Sequence, residues 1–128
     1  MNLRALDAVL DNLPNKDLVA GRILHQQDNH FPCGTFRVFS RDVVEKMVEK
    51  RNEYKLYLPE DLAIGKLLSG FNLSLIDLPS IDLPDMATLE ALSQDVIERT
   101  PHFRCKSGTH ENREDVGIIL RLHERLMA

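Results

Sequence analysis

Two carboxylates stand side by side at Glu60 and Asp61, directly after Pro59 and ahead of Leu62, Ile64, Leu67 and Leu68. Acids in the first turn of a helix stabilise it by about 0.3–1 kcal/mol each, and that is their simplest account. A carboxylate held at a helix start is also what the removal of a proton from a substrate hydroxyl requires. Spacing does not choose between the two acids. His102 follows Pro101 and opens the run HFRCK (102–106). An imidazole there is either a hydrogen-bonded structural group or one ligand of a metal ion completed by carboxylates or phosphates. Arg104 and Lys106 alternate with Phe103 and Cys105, which puts both cations on one strand face. Such a face suits a diphosphate and equally suits water. His25, His30, His110 and His123 show no ligand spacing, and no glycine-rich phosphate loop, GxSxG or HExxH pattern occurs.

The elements that must position these residues follow from periodicity. Leu3, Leu6, Val9, Leu10 and Leu13 predict a helix ending near Pro14, and DLVAGRIL (17–24) predicts a buried strand. Residues 25–35, polar and broken by Pro32 and Gly34, read as a loop, and FRVFS (36–40) as a strand. Ser40 is an N-cap candidate for a helix with Val43, Val44, Met47 and Val48 on one face and Asp42 in its first turn. Pro59 fits the first turn of the next helix, and Gly70 would stop it. NLSLIDLPSIDLPD (72–85) holds two similar halves and reads as a strand followed by a turn-rich connection. A helical stretch over 88–99, a short strand at 102–106, a polar loop and a terminal helix from about 113 to 127 complete the chain. In that helix Val116, Ile119, Leu120 and Leu122 or His123 recur on successive turns. This alternation predicts an α/β fold, a mixed sheet flanked by helices, in a single domain of 128 residues.

Composition excludes several classes. The net charge of −4 and pI near 5.7 leave no basic footprint for nucleic acid, and the absence of Trp removes the best base-stacking side chain. No run reaches the roughly 18 apolar residues of a membrane span. Cys33 and Cys105 lack zinc-knuckle spacing and read as two reduced thiols or, alternatively, one bridge.

FPCGTFRVFSRDVVEKMV, LPEDLAIGKLL and HFRCK, in this order, resemble the C-terminal, acceptor-side half of GT-A-type glycosyltransferases of the β1,3-galactosyl- and N-acetylglucosaminyltransferase and fringe kind. Gly34 matches the first glycine of that family's acceptor segment, VFSRD (38–42) matches its end, and Glu60, Asp61 and Gly65 match its Glu-Asp-Val-x-x-Gly segment. The opening, NLRALDAVLDNLPNKDLVAGRI, is similar to the stretch just after the family's Asp-x-Asp motif, so the resemblance runs from about residue 2 to 106. That motif and the nucleotide-binding half belong ahead of this stretch, and the family's second glycine and tyrosine are Phe36 and Arg37 here. A phenylalanine at the glycine position should reshape or close part of the acceptor site.

The resemblance implies inverting transfer of a hexosyl group from a UDP-sugar to a hydroxyl of a glycan or other acceptor. Asp61 would be the general base and Glu60 its orienting partner. Gly34 and Arg37 would line the acceptor groove, His102 would be a ligand of Mn²⁺, and Arg104 and Lys106 would assist at the diphosphate. With the donor half absent, the chain by itself should turn over weakly or not at all. The alternative expectation is a non-catalytic binding or interaction module that kept the scaffold. An exposed sheet edge would favour self-association. The family implies a secretory compartment in a eukaryote and the cytoplasm in a bacterium.

Overall fold

The computed structural model describes residues 1–26, 29–106 and 113–128. In chain order these hold helix α1 (Leu3–Leu10), strands β1 (Leu18–Gln26) and β2 (Asn29–Phe39), helix α2 (Arg41–Glu49) and a 3₁₀ turn (Arg51–Glu53). Helix α3 (Glu60–Leu68), strands β3 (Ser74–Asp77) and β4 (Ser80–Leu83), helices α4 (Met86–Ala91) and α5 (Gln94–Arg99), strand β5 (His102–Cys105) and helix α6 (Asp115–Met127) follow. The expected mixed α/β class is present. The polar loop expected after Lys106, with His110, falls largely on residues 107–112, outside the described residues. Two compact units emerge: Leu13–Leu78, and Met1–Asn12 with Pro79–Ala128. Among the described residues no helix is long and apolar enough to cross a membrane.

The Leu13–Leu78 unit is built on a three-stranded mixed sheet in the order β2-β1-β3, antiparallel between β1 and β2 and parallel between β1 and β3. A central strand covered on both faces must be apolar throughout, and Leu18, Val19, Ala20 and Gly21 are all buried. Residues 25–26 and 29–35 are strand where a loop was expected: β1 runs on to Gln26 and β2 begins at Asn29, with His25 opposite His30 and Gln26 opposite Asn29. Pro32 does not break β2, because β2 is an edge strand, where a missing N–H costs no ladder bond. Gly21 explains the irregular register. Between the pairs Gly21–Arg37 and Ile23–Pro32, β1 advances two residues while β2 advances five. Gly21 has φ +137°, and a Cβ there would lie 2.3 Å from the Phe36 carbonyl oxygen. Asp77 mends the gap: its Oδ1 accepts from the Ile23 N–H at 3.0 Å.

Helix α2 begins at Ser40, but the Ser40 hydroxyl makes no capping bond to the helix. It accepts instead from the Leu18 N–H (3.0 Å) and donates to Asp42 Oδ1 (2.6 Å), while Asp42 Oδ2 accepts from the Asp17 N–H (3.0 Å). Lys46 closes this latch on Asp17 and Asp42. The apolar stripe of α2 is narrower than expected. Val43 is fully buried and Met47 packs beside it, whereas Val44 and Val48 face water. Val19, Val43, Ile64 and Leu68 form the core of this unit, flanked by Phe39, Tyr54 and Phe71.

The second unit pairs β4 with β5 in parallel, Ser80 opposite His102 and Leu83 opposite Cys105. The second half of the LIDLP/SIDLP echo is therefore a strand and not a turn-rich connection. The helical stretch at 88–99 is two helices, broken where Leu92 turns extended and Ser93 caps α5 by accepting from the Val96 N–H. Their core is Leu83, Leu89, Ile97, Phe103, Ile118 and Leu122. Ile118 and Leu122, one turn apart, are the buried stripe of α6, and Val116, Ile119 and Leu120 are exposed. Buried Asn2 ties α1 in, donating to the Ile97 and Glu98 carbonyls and accepting from the Ala5 N–H.

Two outcomes follow. Gly21→Ala meets both a positive φ and a backbone oxygen, and should destabilise by at least about 2 kcal/mol in urea denaturation. The Ser40 hydroxyl and the Asp17 N–H hold the Asp42 carboxyl down from 3.8 to about 2. Its contribution is thus full above 3.8 and fades as pH falls towards about 2. Asp42→Asn should be less stable than wild type above that window, and the gap should close on acidification.

Candidate functional site

Helix α3 starts without a side-chain cap: Pro59 occupies the N-cap position, and its carbonyl accepts from the Ala63 N–H at 2.9 Å. Glu60 and Asp61 are then the first two helical residues, at the positive end of the helix dipole. What aims them is the packing of α3 on β2. Gly65 lies so close to β2 that a Cβ on it would come within 2.5 Å of Phe31 Cβ. The helix can rest there only because the position is glycine.

That contact brings the two acids to the irregular part of β2. Arg37 Nη2 donates to Glu60 Oε1 in a short charge-assisted bond. Arg37 Nη1 faces Asp61 Oδ1 at 3.7 Å, close enough for an ion pair and too long for a hydrogen bond. Among the described residues the buried Nη1 has no hydrogen-bond partner. A Cβ on Gly34 would stand 2.7 Å from Asp61 Oδ1 and 3.9 Å from Arg37 Nη1, so the absent side chain leaves room for the Asp61 carboxylate. Gly34, Arg37, Glu60 and Asp61 are therefore one cluster. The Asp61 side chain is 29% exposed and that of Glu60 61%, so both acids can meet a solute. Phe36, expected to obstruct the acceptor side, is 3% exposed and belongs to the core. Phe31, Pro32, Leu62, Gly65 and Lys66, from the same strand and helix, line a cavity of about 210 Å³. It is below the usual size of a small-molecule pocket.

His102, Arg104 and Lys106 belong to the other unit. His102 is buried, and its Nδ1 is 2.7 Å from Ser80 Oγ, its register partner's hydroxyl. The structural role open to a strand-end histidine is thus filled at one ring nitrogen. Arg104 Nη1 is 3.9 Å from Asp82, and Lys106 lies one residue past the end of β5, exposed. Among the described residues no group of three or more His, Cys, Asp or Glu could hold a metal ion, so the donor set for Mn²⁺ is not assembled and no step below passes through it. Cys33 and Cys105 are both free thiols, and burial pushes the Cys105 thiol upward.

One pair escaped the sequence reading. His25 and His30 show no ligand spacing along the chain, yet the antiparallel β1–β2 pairing sets them opposite one another, with Nδ1 atoms 2.6 Å apart. Reading 25–35 as a loop hid them. The signal that could have shown them is the edge-strand tolerance of Pro32.

The two glycines should respond differently to the same substitution. Gly34→Ala displaces only the far end of Asp61, so stability should change by less than about 1 kcal/mol while the Asp61 carboxyl resonance shifts. Gly65→Ala drives a Cβ into Phe31 next to its backbone and should cost about 1–3 kcal/mol by chemical denaturation. Comparison with protein-family models, with curated proteins and with solved structures finds no match to this chain.

Proposed function

We propose that the Leu13–Leu78 unit is a hydroxyl-acceptor site of glycosyltransferase type, with Asp61 as the group that takes the acceptor proton. The observation that carries this reading is the convergence of Gly34, Arg37, Glu60 and Asp61 from two segments distant in sequence. Those four residues are also the ones on which the resemblance to the GT-A acceptor half rests its acceptor and catalytic roles. The geometry favours Asp61 over Glu60. Arg37 bonds Glu60 directly, whereas the Asp61 carboxylate receives no hydrogen bond from it.

In the proposed step an acceptor hydroxyl donates to Asp61, and its proton moves to the carboxylate as the oxygen attacks the anomeric carbon of the UDP-sugar. The bond from that carbon to the diphosphate oxygen breaks, the nucleotide leaves with the electron pair, and the configuration inverts. Arg37 holds Glu60 and keeps the pair of acids from repelling one another. His102 as an Mn²⁺ ligand and Arg104 and Lys106 at the diphosphate are proposed on the resemblance alone, and the step above does not use them.

A second reading is a non-catalytic binding module. The contact of Arg37 with both acids favours it, since an arginine set beside two carboxylates is also the arrangement of a purely structural ion-pair cluster. The two readings separate in one experiment. Glycan acceptors and UDP with Mn²⁺ are titrated into the chain while the resonances of Gly34, Asp61 and His102 are followed, and transfer from UDP-sugars is assayed in parallel. Acceptor-induced shifts at Gly34 and Asp61 that vanish in Asp61→Asn support the acceptor site. Any transfer activity should fall about 10²-fold or more in that variant. Acceptor binding that survives Asp61→Asn unchanged, with no response to UDP and Mn²⁺, would sink the transferase reading and leave the module.

A further inference from the structure

His25 and His30 are directly opposed across the antiparallel β1–β2 pair, with register partners fixed on either side at Leu24–Phe31 and Gln26–Asn29. Their ring centroids are 4.8 Å apart with planes at 67°, and the two Nδ1 atoms approach to 2.6 Å. Both residues are exposed. At that separation one nitrogen must carry hydrogen and the other a lone pair, so a single proton bridges two imidazoles. Two imidazole nitrogens are thus brought together by the β1–β2 register.

We propose that this pair is a two-imidazole chelate for a borderline divalent transition ion of the Zn²⁺, Cu²⁺ or Ni²⁺ kind, which takes the place of the bridging proton. Imidazole nitrogen binds Zn²⁺ at about 2.0–2.1 Å, so two nitrogens on a tetrahedral ion lie roughly 3.3 Å apart. Reaching that spacing needs the rings to part by well under 1 Å, a rotation two exposed side chains can make without touching the ladder. Among the described residues no group of three or more His, Cys, Asp or Glu is assembled, so the proposed site rests on the two imidazoles. Imidazole donors select these ions over oxygen-seeking Mn²⁺ or Mg²⁺. The site is therefore distinct in chemistry from the metal of the proposed transfer reaction and does not depend on it.

Zn²⁺ is the probe. Titrated into the full chain at neutral pH, it should shift the imidazole resonances of His25 and His30 together, saturate at one ion per chain, and be reversed by a chelator. His25→Ala, His30→Ala and the amide variant His30→Gln should each lose saturable binding, with circular dichroism reporting an intact fold. Cys33→Ser, directly after the buried Phe31–Pro32 pair, should retain it. No coupled shift at the two rings, or undiminished binding by the His25→Ala/His30→Ala double variant, overturns the proposal, as does loss of binding in Cys33→Ser.

Discussion

Helix α3 and strand β2 meet where neither has room for another atom, at Gly65 and Phe31. A helix that carried any side chain at that point would stand off the sheet by the thickness of a methyl group or tilt away from it. Its first turn would then no longer reach Arg37, and Gly34 would have no carboxylate to make room for. The apolar residues Ile64 and Leu68 hold the helix down on Val19 and Val43, burial stabilising by about 1.5–3 kcal/mol for each side chain. That energy fixes the helix against the sheet, but the glycine fixes the distance. The acids are placed by a packing constraint four residues further along, and not by any capping interaction of their own.

The other half of the cluster is set by a fault in the sheet. Three more residues are accommodated on β2 than on β1 between their flanking pairs: Cys33, Gly34, Thr35 and Phe36 stand against Arg22 alone. Irregularities of this kind re-aim side chains. Here the excess turns Phe36 into the core and leaves Gly34 at the surface. Gly21 absorbs the mismatch on the central strand by taking a positive φ, and Asp77 supplies the acceptor that Ile23 loses. Beyond the fault the ladder resumes in regular register, and that recovery is what opposes His25 to His30.

Elements with a strong local signature were legible in the sequence. The Ser40–Arg41 strand-to-helix step, the Pro59-led start of α3, the short strand at 102–105 and the terminal helix all lie where periodicity and punctuation put them. What failed to read did so because tertiary partners overrule local pattern. Pro32 and Gly34 mark a loop in most chains, but an edge strand tolerates the first and a register fault uses the second. Ser40 has the right chemistry for a cap and spends it on Leu18 and Asp42 instead. The IDLP echo, read as one strand and a turn-rich connection, gives two four-residue parallel strands, β3 on β1 and β4 on β5, with Leu78 and Leu83 buried at their ends. Each needs a partner strand far away in sequence, which no local window contains. Glu60 and Asp61 stood out by themselves, but Gly34 and Arg37 joined them only through the resemblance; no spacing rule links positions that meet through Gly65.

The arrangement also bears on which acid does what, a matter adjacent residues cannot decide from spacing. One guanidinium faces two carboxylates, leaving the cluster with one net negative charge. Arg37 resolves the asymmetry by geometry: its Nη2 is committed to the more exposed Glu60, and its Nη1 is buried at a distance from which it offers Asp61 charge but no hydrogen bond. An ion pair at 3.7 Å in a half-exposed setting is screened, and it consumes none of the lone pairs on Asp61. The less exposed acid therefore keeps its lone pairs open to a hydroxyl donor. Glu60, exposed and bonded, serves to hold the guanidinium in place. Neighbouring residues thus acquire different surroundings, because the first turn of a helix presents them differently to a single arginine.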